Sequence, residues 1–109
     1  MARLVLCGGA VATQQWSQFI VEVLLRTTGF HRRELVQTLE GLRDRDLEAC
    51  EVFEDAGGYN RFLWRRRCAD LAEAERWLGS EHYRTLMGAI NVLGTLEGVR
   101  MCGLRGIDE

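Results

Sequence analysis

The chain has no proline and no lysine. Without proline, turns and breaks fall to its 12 glycines. Without lysine, all 14 basic residues are arginine, which reads first as a coding bias and only second as chemistry. Histidine is scarce: His31 and His82 are the two. The four cysteines, Cys7, Cys50, Cys68 and Cys102, lie far apart and no two form a C-x-x-C pair. Zinc motifs cluster thiolates and imidazoles at short spacing, so no metal site is expected from this pattern. With 47% hydrophobic residues the chain has core enough not to need staples, and free thiols in a reducing cytoplasm are the expectation. No run of apolar residues is long enough to cross a membrane. The net charge of −2 gives no field that would draw the chain to nucleic acid or acidic lipid.

What is present fits one domain. A chain of 109 residues can bury a modest core. Residues 1–17 read as an N-terminal arm or extra strand, with the domain proper at 18–109. Leu4-Val5-Leu6-Cys7 has a faint likeness to a lipoprotein box, but the apolar stretch before Cys7 is too short for a signal peptide.

Phe19–Thr27 alternates apolar residues on both sides and predicts a strand. Over Arg32–Leu42 the period changes: Leu35, Val36, Leu39 and Leu42 form one helical stripe. Leu47–Glu54 predicts a second strand, Asp55-Ala56-Gly57-Gly58 a hairpin turn, and Tyr59–Cys68 a third strand. On that third strand Asn60, Phe62, Trp64, Arg66 and Cys68 share one face. Asp70 with Glu73 has capping-box spacing and starts a second helix. Gly79-Ser80 kinks it, with Ser80 capping a continuation along Tyr83, Leu86, Met87 and Ile90. Gly94 stops that helix, and Gly98–Leu104 predicts the last strand.

The order strand, helix, strand, strand, helix, strand is the ferredoxin-like α+β plan: two helices packed on one face of an antiparallel sheet. Ile20, Leu24, Leu63 and Val99 are then surplus apolar residues on the uncovered face. An uncovered apolar face implies a partner, and a homodimer stacked through that face is the simplest cover.

The segment Asp70-Leu-Ala-Glu-Ala-Glu-Arg-Trp77-Leu78-Gly79-Ser80-Glu81-His82-Tyr83-Arg84 resembles the second helix of antibiotic-biosynthesis-monooxygenase domains. The element order over residues 18 to 104 matches as well. The resemblance implies a dimeric α+β barrel with a pocket between helices and sheet in each subunit. It also implies, for some members, oxidation of quinol-like aromatics by O2 without a cofactor. Two departures stand out. Arg66 and Cys68 occupy the places of a Glu-x-Trp-type segment on the third strand. Against the haem-degrading branch, Trp77 matches its tryptophan, but Glu22 and Met87 stand where it has asparagine and histidine, which disfavours haem.

Cofactor-free oxygenation needs an apolar pocket, a base near neutrality and donors that hold an electron-rich anion. His82 is the base such chemistry would use; Trp77 offers an aromatic wall and an indole N–H. Glu22, mid-strand among apolar residues, is either a carboxylate with a raised pKa or the partner of an arginine on a neighbouring strand. Asn60, Arg66, Phe62, Trp64 and Tyr83 are the candidate substrate contacts. Arg61 and Arg65–Arg67 with Phe62 and Trp64 bring an RNA-binding sheet to mind, but the glycine-aromatic signature of such strands is missing. The expectation is therefore a cytoplasmic homodimer, without nucleic-acid or membrane partners, that oxidises a small aromatic or quinol-like compound. The alternative is a non-catalytic module of the same fold that binds a small ligand.

Overall fold

A computed structural model describes residues 4–7 and 16–105. Five strands and three helices follow in the order β1 (Leu4–Cys7), β2 (Trp16–Thr27), α1 (Arg32–Asp44), β3 (Cys50–Glu54), β4 (Arg61–Cys68), α2 (Leu71–Leu78), α3 (Glu81–Leu93) and β5 (Gly94–Arg105). The sheet runs β1-β5-β2-β4-β3. Its four strands from β5 to β3 are antiparallel and have the ferredoxin-like order; β1 adds an outer strand parallel to β5. Residues 1–3 and 8–15 of the expected arm lie outside the described residues, as do residues 106–109.

The register sorts side chains into two faces. On the helix side, Val52, Trp64, Val23 and Val99 form one row across four strands, and Cys50, Arg66, Val21 and Met101 the next. Leu35, Leu39 and Leu42 of α1, Ala74 and Trp77 of α2, and Leu86, Ile90 and Leu93 of α3 close over these rows and complete the core. The helical stripes and the alternating strands thus meet as their periods require. On the other side Glu51, Arg65, Glu22 and Arg100 form a row of alternating charge, next to Phe53, Leu63, Leu24 and Gly98.

Several boundaries differ from the sequence expectation. Val99 is buried on the helix side, not surplus on the open face. It pairs with Val23, which faces the helices, and directly opposed residues share a face; the register shift opposite Leu24 and Leu25 falls before it, between Leu96 and Gly98. β5 begins at Gly94, four residues early, since Thr95 and Leu96 already pair with Arg26 and Leu25. Residues 45–49 form turns, so β3 starts at Cys50 and not at Leu47. Asn60 lies outside the strand, in the β3–β4 turn with φ 55°, a conformation asparagine tolerates better than most residues. Its carbonyl accepts from Thr27 N at 2.9 Å. The thiol expectation is also corrected. Cys50 and Cys68 are free, but Cys102 is disulfide-bonded, and the parallel pairing of β1 with β5 sets Cys7 beside Cys102 in register. Sequence spacing could not reveal that neighbourhood. Among the described residues, no helix is long and apolar enough to cross a membrane.

Candidate functional site

The α2–α3 corner builds the site. Asp70 caps α2, its side chain accepting from Glu73 N at 2.8 Å. In return the Glu73 carboxylate accepts from Ala69 N at 2.6 Å, one residue earlier than in a standard capping box. Gly79 ends α2 and Ser80 caps α3, accepting from Tyr83 N at 3.2 Å while its hydroxyl donates to Trp77 O at 2.6 Å. This break turns the chain so that Trp77, His82 and Tyr83 converge although they come from two helices. Trp77 lies 5.0 Å from Tyr83 in an edge contact and stacks at 6.4 Å on Trp64 of β4. Trp64 is completely buried, and its indole N–H finds no acceptor among the described residues.

His82 is held at both ring nitrogens. Trp77 Nε1 donates to Nδ1 at 3.0 Å, and Nε2 lies 2.8 Å from the Leu42 carbonyl oxygen near the end of α1. An indole N–H can only donate and a carbonyl can only accept, so the two bonds together select the neutral tautomer protonated at Nε2. In this arrangement its one lone pair is occupied by Trp77.

Beside this pair Arg66 enters the core side of the sheet. Its Nε meets Asp46 Oδ2 at 3.1 Å, its Nη1 meets Cys68 Sγ at 3.2 Å, and its guanidinium lies 5.8 Å over the Trp77 ring. Burial pushes the Cys50 thiol up to about 12, with the Asp46 charge adding to it. Burial likewise raises Cys68, although Arg66 opposes it. Asp46, Cys50 and His82 each bring one ligand-type atom, and the three atoms lie within 4.8 Å of one another.

A cavity of about 1030 Å³ opens between α3 and β5. Leu78, Tyr83, Met87, Ile90, Leu96 and Val99 supply its apolar lining; Arg84, Asn91 and Thr95 supply polar groups. Burial raises the Tyr83 phenol above its ordinary value, so it remains a neutral donor. Two close contacts hold the end of α3 against β2 at this cavity. Thr27 Oγ1 donates to Leu93 O at 2.6 Å. Gly94 sits so near the Arg26 carbonyl that a β-carbon there would overlap it.

The residues singled out from the sequence fall into three groups. Trp77, His82, Arg66, Phe62 and Trp64 share the helix side of the sheet, and Tyr83 alone of them lines the cavity. Glu22 is on the other face, with Oε1 2.6 Å from Arg100 Nε and Oε2 3.9 Å from Arg65 Nε. It is the arginine-paired carboxylate of the two readings offered for it. Asn60 is in the distant turn. Sequence reasoning passed over Asn91, Thr95 and Leu96, which line the cavity. Asn91 shares the helical stripe of Tyr83 and Met87, so the 3.6-residue period held a signal for it. Thr95 and Leu96 fell in what reads as a linker.

No protein-family model and no curated protein matches the sequence. Solved structures do match in three dimensions. A conserved protein from Methanosarcina mazei superposes with a TM-score of 0.70 at 12% identity, over 84% of this chain and 97% of that one. A candidate antibiotic biosynthesis monooxygenase from Nitrosomonas europaea gives 0.69 at 11% identity, over 86% and 94%. Another from Deinococcus radiodurans gives 0.67 at 16%, over 84% and 94%. At these identities the likeness concerns the fold. The chain has the α+β fold of the antibiotic-biosynthesis-monooxygenase structures.

Proposed function

We propose that the chain is a monooxygenase of the antibiotic-biosynthesis type that oxidises a small aromatic or quinol-like compound with O2. The observation that carries this reading is the α3–β5 cavity: a half-open apolar groove of about 1030 Å³ with a few polar groups along α3 and β5. Such a lining suits a flat, largely apolar molecule. The Tyr83 phenol, the Asn91 amide, the Thr95 hydroxyl and the Arg84 guanidinium are hydrogen-bond donors. Donors of this kind favour the anion of an acidic phenol or enol over its neutral form, which eases loss of the proton to solvent. The anion is electron-rich and passes an electron to O2. Oxidation of a ring methylene to a carbonyl then consumes one O2 and releases one water. Of the protein's own groups, Tyr83 holds the anion's oxygen, Leu78, Met87, Ile90 and Leu96 form the apolar wall against which the ring lies, and Trp77 backs the Tyr83 ring.

The molecule acts as a homodimer through the open sheet face. The half-buried Ile20, Leu24 and Leu63 with the exposed Phe53 support this, because a partner would cover apolar area that water now meets.

A second reading, a non-catalytic binder of the same kind of ligand, is favoured by one specific arrangement. Neither His82 nor Glu22 lines the cavity, and the His82 lone pair is engaged by Trp77. Oxygen uptake by chelator-treated protein with hydroquinones and anthrone-like compounds separates the two. The oxygenase reading expects turnover that falls about tenfold or more in Tyr83→Phe. Quenching of tryptophan fluorescence by these compounds with no uptake above the buffer blank establishes the binder instead.

A further inference from the structure

We propose that Asp46, Cys50 and His82 form a binding site for a borderline-soft divalent metal ion of the Zn2+ or Co2+ kind. The three come from separate elements: the turn after α1, the start of β3 and the first turn of α3. Their ligand atoms lie within 4.8 Å of one another, and Cys50 Sγ is 3.8 Å from Asp46 Oδ2. Tetrahedral coordination at ordinary zinc bond lengths sets donors about 3.4–3.8 Å apart, so side-chain adjustment of about 1 Å closes the site. Thiolate, imidazole and carboxylate are together a zinc-type donor set, distinct from the all-oxygen sets of Mg2+ and Ca2+.

The surroundings support coordination. Cys50 is 1% exposed, which protects a thiolate ligand, while Asp46 is half-buried and gives an ion a way in. Arg66 already orients the Asp46 carboxylate, and Leu42 O anchors the imidazole edge of His82. Ligand-orienting contacts of these two kinds accompany metal centres generally. Binding exchanges the Cys50 thiol proton for the metal, and the proton leaves to solvent. The carboxylate and the neutral imidazole bind as they stand, and the fourth position falls to water. The lone pair is on Nδ1, so the bond from Trp77 gives way to the metal while Nε2–H stays on Leu42 O, and the tryptophan surroundings change with occupancy. Cys68 remains on Arg66, and Cys102 offers no thiolate because it is disulfide-bonded. The inference is independent of the oxygenase reading, since no step of that reaction uses these ligands.

The test is titration of the chelator-treated full chain with CoCl2 under anaerobic conditions. The expected result is a thiolate-to-cobalt charge-transfer absorption that saturates at one ion per chain, is bleached by Zn2+ and is accompanied by a change in tryptophan emission. Cys50→Ser abolishes the band, Asp46→Asn weakens binding about tenfold or more, and Cys68→Ser keeps it. Absence of the band in the wild type overturns the proposal, as does its persistence in Cys50→Ser or its loss in Cys68→Ser alone. Should Cys50→Ser lose its circular dichroism, Asp46→Asn, a turn substitution, decides between the outcomes: weakened cobalt binding there supports the site, and unchanged affinity refutes it.

Discussion

Trp77 Nε1 donates to His82 Nδ1 at 3.0 Å, and the opposite edge of the same imidazole meets the Leu42 carbonyl at 2.8 Å. His82 therefore ties α1, α2 and α3 together at one point. His82→Ala leaves a largely buried indole N–H and a helix-end carbonyl without their partner. Loss of these bonds is expected to lower unfolding free energy by about 2–4 kcal/mol. Urea unfolding followed by tryptophan emission measures it; a change under about 0.5 kcal/mol would show that the tether contributes little.

The alkaline limb of stability is simple to read in this chain because it has no lysine. Between about pH 9 and 12 the side chains that titrate are cysteine and tyrosine. Burial raises Cys50 to about 12 from 9.0, and also raises Cys68 and Tyr83. A raised folded value means that the unfolded chain gives up its protons first. Stability is thus fully present below about pH 9 and is lost as pH rises towards 12. The urea midpoint should fall across this window, and Cys50→Ala should flatten the fall. An unchanged slope in Cys50→Ala would assign the loss to other groups.

Gly94 sits where α3 turns directly into β5. Its neighbour is backbone, the Arg26 carbonyl, which a flexible side-chain shift cannot relieve. Gly94→Ala should lower stability by about 1–3 kcal/mol through overpacking and shift the cavity wall. Thermal unfolding checks the first effect. Gly88→Ala, whose added carbon meets nothing within 4 Å, is the control and should be neutral or slightly stabilising in the helix.

Leu63 lies on the open sheet face between Leu24 and Phe53. Leu63→Glu puts a charge into the apolar row of the proposed dimer contact. Sedimentation velocity should show the wild type as a dimer and the variant as a monomer with unchanged circular dichroism. A wild-type monomer at micromolar concentration would remove the dimer from the account.

The alternation of β2 and β4, the stripe of α1, the caps at Asp70 and Ser80 and the glycine-rich hairpin were all legible in the sequence. Each is a short-range pattern: apolar periods of two and 3.6, or a side chain that bonds a backbone N–H three residues on. Those patterns were enough for the ferredoxin-like order and for an open sheet face. The placement of Glu22 against Arg65 and Arg100 was open between two readings, because a mid-strand carboxylate points to whichever face its parity dictates and its partners sit on other strands.

Only the tertiary structure decided which distant side chains meet. Pairing with Val23 set Val99 on the buried face, because directly opposed residues on neighbouring strands share a face of the sheet. The pairing of β1 with β5 set Cys7 beside Cys102. Packing of α3 against the end of α1 brought His82 to Leu42 O and into reach of Asp46 and Cys50, a cluster no spacing rule contains. The cavity, too, is lined from α2, α3 and β5 together, so no single segment contains it. Local propensity acts over a few residues, whereas these neighbourhoods are set by burial of the whole apolar surface at once.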